Sequence, residues 1–154
     1  MPDTRPEHLP AETVAHVRDA CLCLATQRAA RQLARRFDAA LKPCGLTNGQ
    51  FSLMMALNRP EPPPIGRLGP FLGMDASTLT AMVKPLVRRD LLIVEPDPDD
   101  RRLRRLRITA GGVELMRHAV AIWQAAHAAL DAELPAGTAA RLRQDLSCLD
   151  AGTV

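Results

Sequence analysis

The spacing of apolar residues changes period once along this chain of 154 residues, and that change limits what it can fold into. On either side of residues 91–108 apolar side chains recur every three or four positions, the repeat of a helix with one buried face. Between those bounds Leu91-Leu92-Ile93-Val94 is a short continuous apolar run. Leu106 and Ile108 then alternate with Arg105 and Arg107, the period-two pattern of a strand. Two short strands around the turn Asp97-Pro98-Asp99-Asp100 make one hairpin and no larger sheet. The expected fold class is mostly α with a small β-wing.

Proline and glycine place the other boundaries. Pro2, Pro6 and Pro10 mark residues 1–10 as a loose arm. Ala11 to Leu41 contains neither residue, and Val14, Val17, Cys21, Leu24, Leu33, Phe37 and Leu41 keep helical spacing. One helix of about 45 Å is expected there, stopped by Pro43 and Gly45. Thr47 and Gln50 have the spacing of a capping box, opening a helix with Phe51, Met54, Met55 and Leu57 on its apolar face. Arg59 to Pro64 holds four Pro and must be a loop. A short helix over Ile65 to Leu72 is shortened or kinked by Pro70 and ended by Gly73. Asp75 caps a helix over Ala76 to Arg89, in which Leu79, Met82, Val83 and Leu86 share a face.

After strands at Leu91–Val94 and Arg101–Ile108, Thr109 caps a long helix from Ala110 to about Leu134. Its stripe runs through Val113, Met116, Val120, Trp123, His127, Leu130 and Leu134. Leu142, Leu146 and Leu149 line a last short helix. Six helices and a hairpin in this order predict a winged helix-turn-helix lobe over 47–109 within a single domain, 1–154. Helices over 11–42 and 110–150 expose more apolar surface than one small domain hides, so they are expected to dimerise. A two-fold dimer would set two recognition helices about 34 Å apart, one turn of DNA.

Composition removes several function classes. Three Phe, one Trp and no Tyr argue against a surface that stacks single-stranded bases on aromatic rings. No apolar run approaches the roughly 20 residues that span a bilayer, so no membrane partner is expected. Four irregularly placed Cys without a signal peptide do not read as a secreted disulfide scaffold; the expected setting is soluble, reducing and cytoplasmic. No His pair or Cys-x-x-Cys has zinc spacing, and no nucleophile elbow, phosphate loop or dinucleotide fingerprint occurs. Neither a cofactor nor a metal nor an enzymatic activity is expected.

The run Asp97-Pro98-Asp99-Asp100-Arg101-Arg102, followed by Ile108-Thr109 and Gly112, resembles the wing signature of the MarR (multiple antibiotic resistance regulator) family of bacterial transcription factors. Gly45-Leu46-Thr47 to Leu53 is similar to that family's second helix. Asp75 to Leu86, with Ser77-Thr78-Leu79-Thr80 and Lys84-Pro85-Leu86, looks like a recognition helix of one branch. The likeness covers the chain from about Val14 to Leu149. It implies a homodimer that binds duplex DNA as a transcriptional repressor and is released by a small aromatic or organic-anion effector. Ala76, Ala81 and Met82 stand where related sequences carry Arg or another polar residue. Pro70 and Asp90 depart from the usual Ala- or Glu-like and Gly positions.

Charge agrees with a nucleic-acid partner. Ala76 to Arg89 contains no acid and ends in Lys84, Arg88 and Arg89, while Arg101, Arg102, Arg104, Arg105 and Arg107 crowd one hairpin. A planar guanidinium suits phosphate and groove contacts; a solvated face balanced by Asp90, Glu95, Asp97, Asp99 and Asp100 is the plainer alternative. The DNA-binding candidates are Ser77, Thr78, Thr80, Lys84, Arg88, Arg89, Asp100, Arg101, Arg102, Arg104 and Arg105, with Asp100 orienting Arg102.

In the resembling family, ligands bind between dimer helices and the DNA-binding lobe. The corresponding candidates are Arg28, Arg31, Phe51, Met54, Met55 and Trp123, and core or surface roles for them stay open. Some family members sense oxidants through a Cys near the first helix, aided by a partner's Tyr. This chain has no Tyr, and Cys21 and Cys23 point to different helix faces. Buried packing is the expected role of its thiols, with Cys148 near Cys21 or Cys23 the alternative. A winged-helix protein–protein module without DNA affinity and a thiol redox sensor remain the other function classes.

Overall fold

The computed structural model describes residues 8–150, and for Asp150 the backbone alone. Residues 1–7 of the expected arm lie outside the described residues, and His8 to Pro10 precede the first helix without regular structure. The chain divides after Arg36 into two compact units. The first contains α1 (Ala11–Ala20) and most of α2 (Leu22–Leu41). The second runs through a 3₁₀ turn (Lys42–Cys44), α3 (Asn48–Leu57), α4 (Ile65–Leu72), α5 (Ala76–Arg88), β1 (Leu92–Pro96), β2 (Arg104–Ile108), α6 (Ala110–Glu133) and α7 (Thr138–Asp150).

The single long helix expected over residues 11–41 is two helices, which makes seven among the described residues. Cys21 separates them with an extended ψ of 101°. Its Sγ accepts the Leu24 N–H at 3.3 Å, standing in for a capping oxygen at the start of α2. Neither Pro nor Gly marks the break, so periodicity could not locate it.

In the second unit Thr47 and Gln50 form the expected capping box. The Gln50 N–H donates to Thr47 Oγ1 at 3.2 Å, and the Thr47 N–H donates to Gln50 Oε1 at 3.0 Å. Leu53, Met54 and Leu57 of α3 are fully buried with Leu68 of α4, Leu86 of α5, Leu92, Leu106 and Met116. This core holds the helix-turn-helix against the hairpin and the start of α6. Along α6, Met116 is buried and Val113, Val120, Trp123, His127 and Leu130 are half-buried, as the stripe predicts.

The hairpin is antiparallel, pairing Leu92 with Ile108, Val94 with Leu106 and Glu95 with Arg105. Pro64, at the end of the proline-rich loop, adds an isolated bridge to Arg105. The second strand begins at Arg104 rather than Arg101. Asp97 is the reason: its Oδ1 accepts the amides of Asp99 and Asp100 at 2.9 and 3.2 Å, and its N–H donates to the Leu103 carbonyl at 3.0 Å. Those bonds close residues 97–103 into a loop before pairing resumes.

α5 ends in a Schellman arrangement. The Asp90 N–H donates to the Val87 carbonyl and the Leu91 N–H to the Leu86 carbonyl, both at 3.0 Å. Asp90 occupies the left-handed region at φ 56°, where a residue with a β-carbon is strained and glycine is not. Its backbone carbonyl accepts the Thr109 hydroxyl at 2.7 Å, a bond that substitution preserves. Asp90→Gly is therefore expected to stabilise the protein by about 1 kcal/mol, raising the thermal midpoint by about 2–4 °C. A midpoint that stays put or falls in a melting experiment would show that Asp90 carries no strain.

Candidate nucleic-acid interface

α4, the turn Gly73–Asp75 and α5 make the helix-turn-helix. Pro70 does not shorten α4, which runs the full Ile65–Leu72 with the proline inside it. Left-handed Gly73 ends the helix, its N–H reaching the Pro70 carbonyl at 3.2 Å and the Met74 N–H reaching the Gly69 carbonyl at 2.8 Å. Asp75 then caps α5, its Oδ1 accepting the Thr78 N–H at 2.7 Å. Leu79 and Leu86 face the core, and Met82 and Val83 pack against it. Ser77, Thr80, Ala81, Lys84 and Arg88 are all exposed, and helical geometry gathers them on the opposite face. Thr78 is exposed beside them.

The hydroxyls on this face are already engaged. Ser77 Oγ and Thr78 Oγ1 donate to the two Asp75 oxygens at 2.6 and 2.9 Å, and Thr80 Oγ1 donates to the Ala76 carbonyl at 2.7 Å. The Ser77 hydroxyl, the Thr78 amide and the Thr78 hydroxyl together hold the Asp75 carboxyl down at a pKa of about 2.

Arg88 and Lys84 present their charges to solvent on α5. Arg89 is used differently from the sequence expectation. Its guanidinium donates to the Gly45 and Cys44 carbonyls at 2.5 and 3.0 Å, closing the end of the 3₁₀ turn, so it acts as a brace within the lobe. No sequence signal links residues 44 and 45 positions apart; only tertiary packing does.

The wing separates its arginines into two sets. Arg105 is half-buried and ion-paired with Asp97, which is only 3% exposed. Arg107 lies 3.0 Å from the Glu95 carboxylate. Both ion pairs lie within the hairpin, so the Arg105 guanidinium is already engaged by the wing itself. Arg101, Arg102 and Arg104 project into solvent. Asp100 Oδ1 accepts the Arg102 N–H at 3.0 Å and lies 3.7 Å from its Nε, which leaves the Arg102 side chain 95% exposed but loosely oriented.

Asp97 is the wing residue that sequence reasoning missed as a site of its own. The available signal was an Asp opening a turn, with an Arg eight positions on in the returning strand. The Arg105 hydrogen bond, helped by the amides of Asp99 and Asp100 and opposed by burial, holds its carboxyl below the ordinary value. Because the folded-state pKa values of Asp97 and Asp75 are depressed, both groups stabilise the fold fully above the ordinary carboxylate pKa of about 3.9. That contribution disappears as pH falls through the folded values, for Asp75 between about 4 and 2. Thermal midpoints measured from pH 6 to pH 2 should fall less steeply for Asp97→Asn and Asp75→Asn than for the parent. Parallel curves would show that neither carboxylate is linked to folding.

A pocket of about 450 Å³ lies between α3, α4 and α6, walled by Phe51, Met55, Phe71 and Trp123 with Arg59 at its edge. The rings of Phe51 and Trp123 stack with centroids 5.9 Å apart, and Trp123 and Phe37 both contact the His127 ring. Met54 is not part of this wall, because it is fully buried in the core. Arg59, unnoticed in the sequence, is the pocket's cation. Arg28 and Arg31 belong to the first unit, exposed on α2, where Arg31 donates to Gln27 at 3.3 Å.

All four cysteines are free thiols; Cys44 alone is buried, Cys21 is half-buried, and Cys23 and Cys148 are exposed. The packing role expected for them holds only for Cys44. No group of residues among those described could hold a metal ion, and no described helix is long and apolar enough to cross a membrane.

A helix-turn-helix braced by a basic two-stranded hairpin defines a winged helix-turn-helix protein. Residues 46–103 match the model of the MarR family. The transcriptional regulator MosR of M. tuberculosis, solved in complex with DNA, is 33% identical; the likeness covers 86% of this chain and 95% of that one, with a TM-score of 0.75. The chain belongs to the MarR family. A mutant E. coli MarR complexed with operator DNA shares the fold at 22% identity and a TM-score of 0.76, over 87% of this chain and 96% of that one. The helix-turn-helix-type regulator YhbI of Bacillus subtilis is 29% identical over 53% of each chain, so the match spans about half the length of that curated relative. The family and these relatives are transcriptional regulators rather than enzymes.

Proposed function

We propose that the protein is a homodimeric transcriptional repressor that binds duplex DNA in the cytoplasm and is released by a small organic anion. One observation carries the DNA reading: the exposed face of α5 has no acid, and the adjoining wing presents Arg101, Arg102 and Arg104 while two of its acids, Asp97 and Glu95, are paired with Arg105 and Arg107. Such a surface neutralises phosphates and inserts guanidinium groups into a narrow minor groove. That MosR was solved with DNA supports the same partner.

Self-association is supported within each unit. Val14 and Val17 are more than half exposed on α1. Leu142, Leu146 and Leu149 are about half exposed along α7, in which none of the described side chains is buried. The effector reading rests on the Phe51–Trp123 pocket, apolar with Arg59 at the rim, which suits an organic anion.

An anisotropy titration with the DNA upstream of the protein's own gene, repeated at about 50 and 200 mM salt, tests the reading. Tight binding that drops by orders of magnitude across that range is expected. Affinity no better than for unrelated duplex in either buffer would leave the winged-helix protein–protein module in its place. Sedimentation at micromolar concentration should give a dimer, and a monomer would remove the two-fold arrangement.

A further inference from the structure

We propose that the first two turns of α5 read bases as hydrogen-bond acceptors only, so that the operator half-site presents adenine 6-amino groups, with thymine methyls beside them, to Ser77, Thr78 and Thr80. This rests on the reading of the chain as a DNA-binding regulator and names what that regulator selects.

The chemistry follows from proton counting. A hydroxyl has one proton to donate and two lone pairs to accept with. The protons of Ser77 and Thr78 go to the Asp75 oxygens, and that of Thr80 goes to the Ala76 carbonyl. What these side chains offer outward is lone pairs. In the major groove, adenine N6 and cytosine N4 donate, whereas guanine O6 and N7 and thymine O4 accept. Acceptors that face guanine or thymine oxygens repel; those that face an amino group bond.

The remaining surface decides between adenine and cytosine. Ala76 and Ala81 are exposed on the same turns, and with the Thr78 and Thr80 methyls they match the methyl of the thymine paired with adenine. No Arg, Lys, Asn or Gln occurs from Ala76 to Val83, so no side chain here can make the two-pronged contact that selects guanine. Lys84 and Arg88 lie further along, where a recognition helix leaves the base edges. Asp75 is thus a positioning residue: it touches no base and sets the polarity of those that do.

The test starts from duplexes selected by the intact protein out of a randomised pool, with adenine analogues substituted at the selected positions. Purine nucleoside removes the 6-amino donor and keeps N7; 7-deazaadenine removes N7 and keeps the donor. The expected result is about a tenfold loss of affinity per contacted purine nucleoside and almost none with 7-deazaadenine. The purine penalty should vanish at one position in Thr80→Val, which keeps the shape and loses the lone pairs.

Asp75→Asn keeps a good helix cap, but its amide nitrogen donates to Thr78 and frees that hydroxyl's proton. Selection with this variant should admit guanine or thymine where the parent selects adenine. Equal purine penalties in the parent and Thr80→Val, or an unchanged base preference in Asp75→Asn, would overturn the proposal. Failure of the parent to enrich any duplex would overturn it together with the DNA-binding reading, a distinct outcome.

Discussion

Alanine at both Arg101 and Arg102 is expected to weaken binding to operator and unrelated duplex alike, by about 10- to 100-fold at moderate salt. Both side chains stand on the loop that Asp97 closes and are exposed, with Asp100, 3.7 Å from the Arg102 Nε, a partial counter-charge to Arg102. A dimer would lose up to four phosphate or minor-groove contacts, and each phosphate contact accounts for about 0.9 of the slope of log affinity on log salt. The salt dependence should flatten along with the affinity. Ser77→Ala and Thr80→Ala, in contrast, should mainly shrink the difference between operator and unrelated DNA, because their side chains carry no charge. Operator affinity that survived the double substitution unchanged would show that the wing does not touch DNA.

Gly112→Val is expected to cost about 3 kcal/mol or more. α6 starts against the end of the recognition-helix turn, and a β-carbon on Gly112 would sit 2.4 Å from the Leu91 carbonyl oxygen and 2.7 Å from Ile108 Cγ1. The first obstacle is backbone and cannot rotate away. That carbonyl also accepts the Thr109 N–H at 3.1 Å, and Thr109 Oγ1 accepts the Gly112 N–H at 3.0 Å. Moving α6 outward would break the cap as well as the contact.

Gly111 is the control one residue away, where a β-carbon would meet only Thr109 Oγ1 at 3.8 Å. Gly111→Ala should be neutral or stabilising by about 0.5 kcal/mol, the usual gain from removing a helical glycine. Thermal or urea unfolding of the pair decides the matter. Similar stabilities for both variants would mean that the approach at Gly112 is not close.

Local rules carried most of the architecture. The caps at Thr47, Asp75 and Thr109 lie where the sequence placed them, because a cap depends on three or four neighbouring residues. The hairpin and the stripe of α6 were legible for the same reason: burial of one face imposes period two on a strand and three to four on a helix. The acid-free recognition face could also be read directly, since helical spacing alone brings Ser77, Thr80, Ala81, Lys84 and Arg88 together.

What the chain's own residues did with their charges and thiols was settled by distance in space. Arg89 looked like one more cation of the recognition helix until folding brought Cys44 and Gly45 to it. Arg105 looked equivalent to Arg102, yet register set it beside buried Asp97 while Arg102 stayed in water. Met54 and Met55 are neighbours in sequence, and a rotation of 100° along α3 buries one and leaves the other on the pocket wall. The break at Cys21 depends on a thiol accepting a backbone donor, a choice that periodicity does not record. Sequence alone determined which segments bury a face, because that pattern is periodic and local. Tertiary structure alone decided which polar groups remain free to act, because partners far apart in sequence compete for them only once the core has formed.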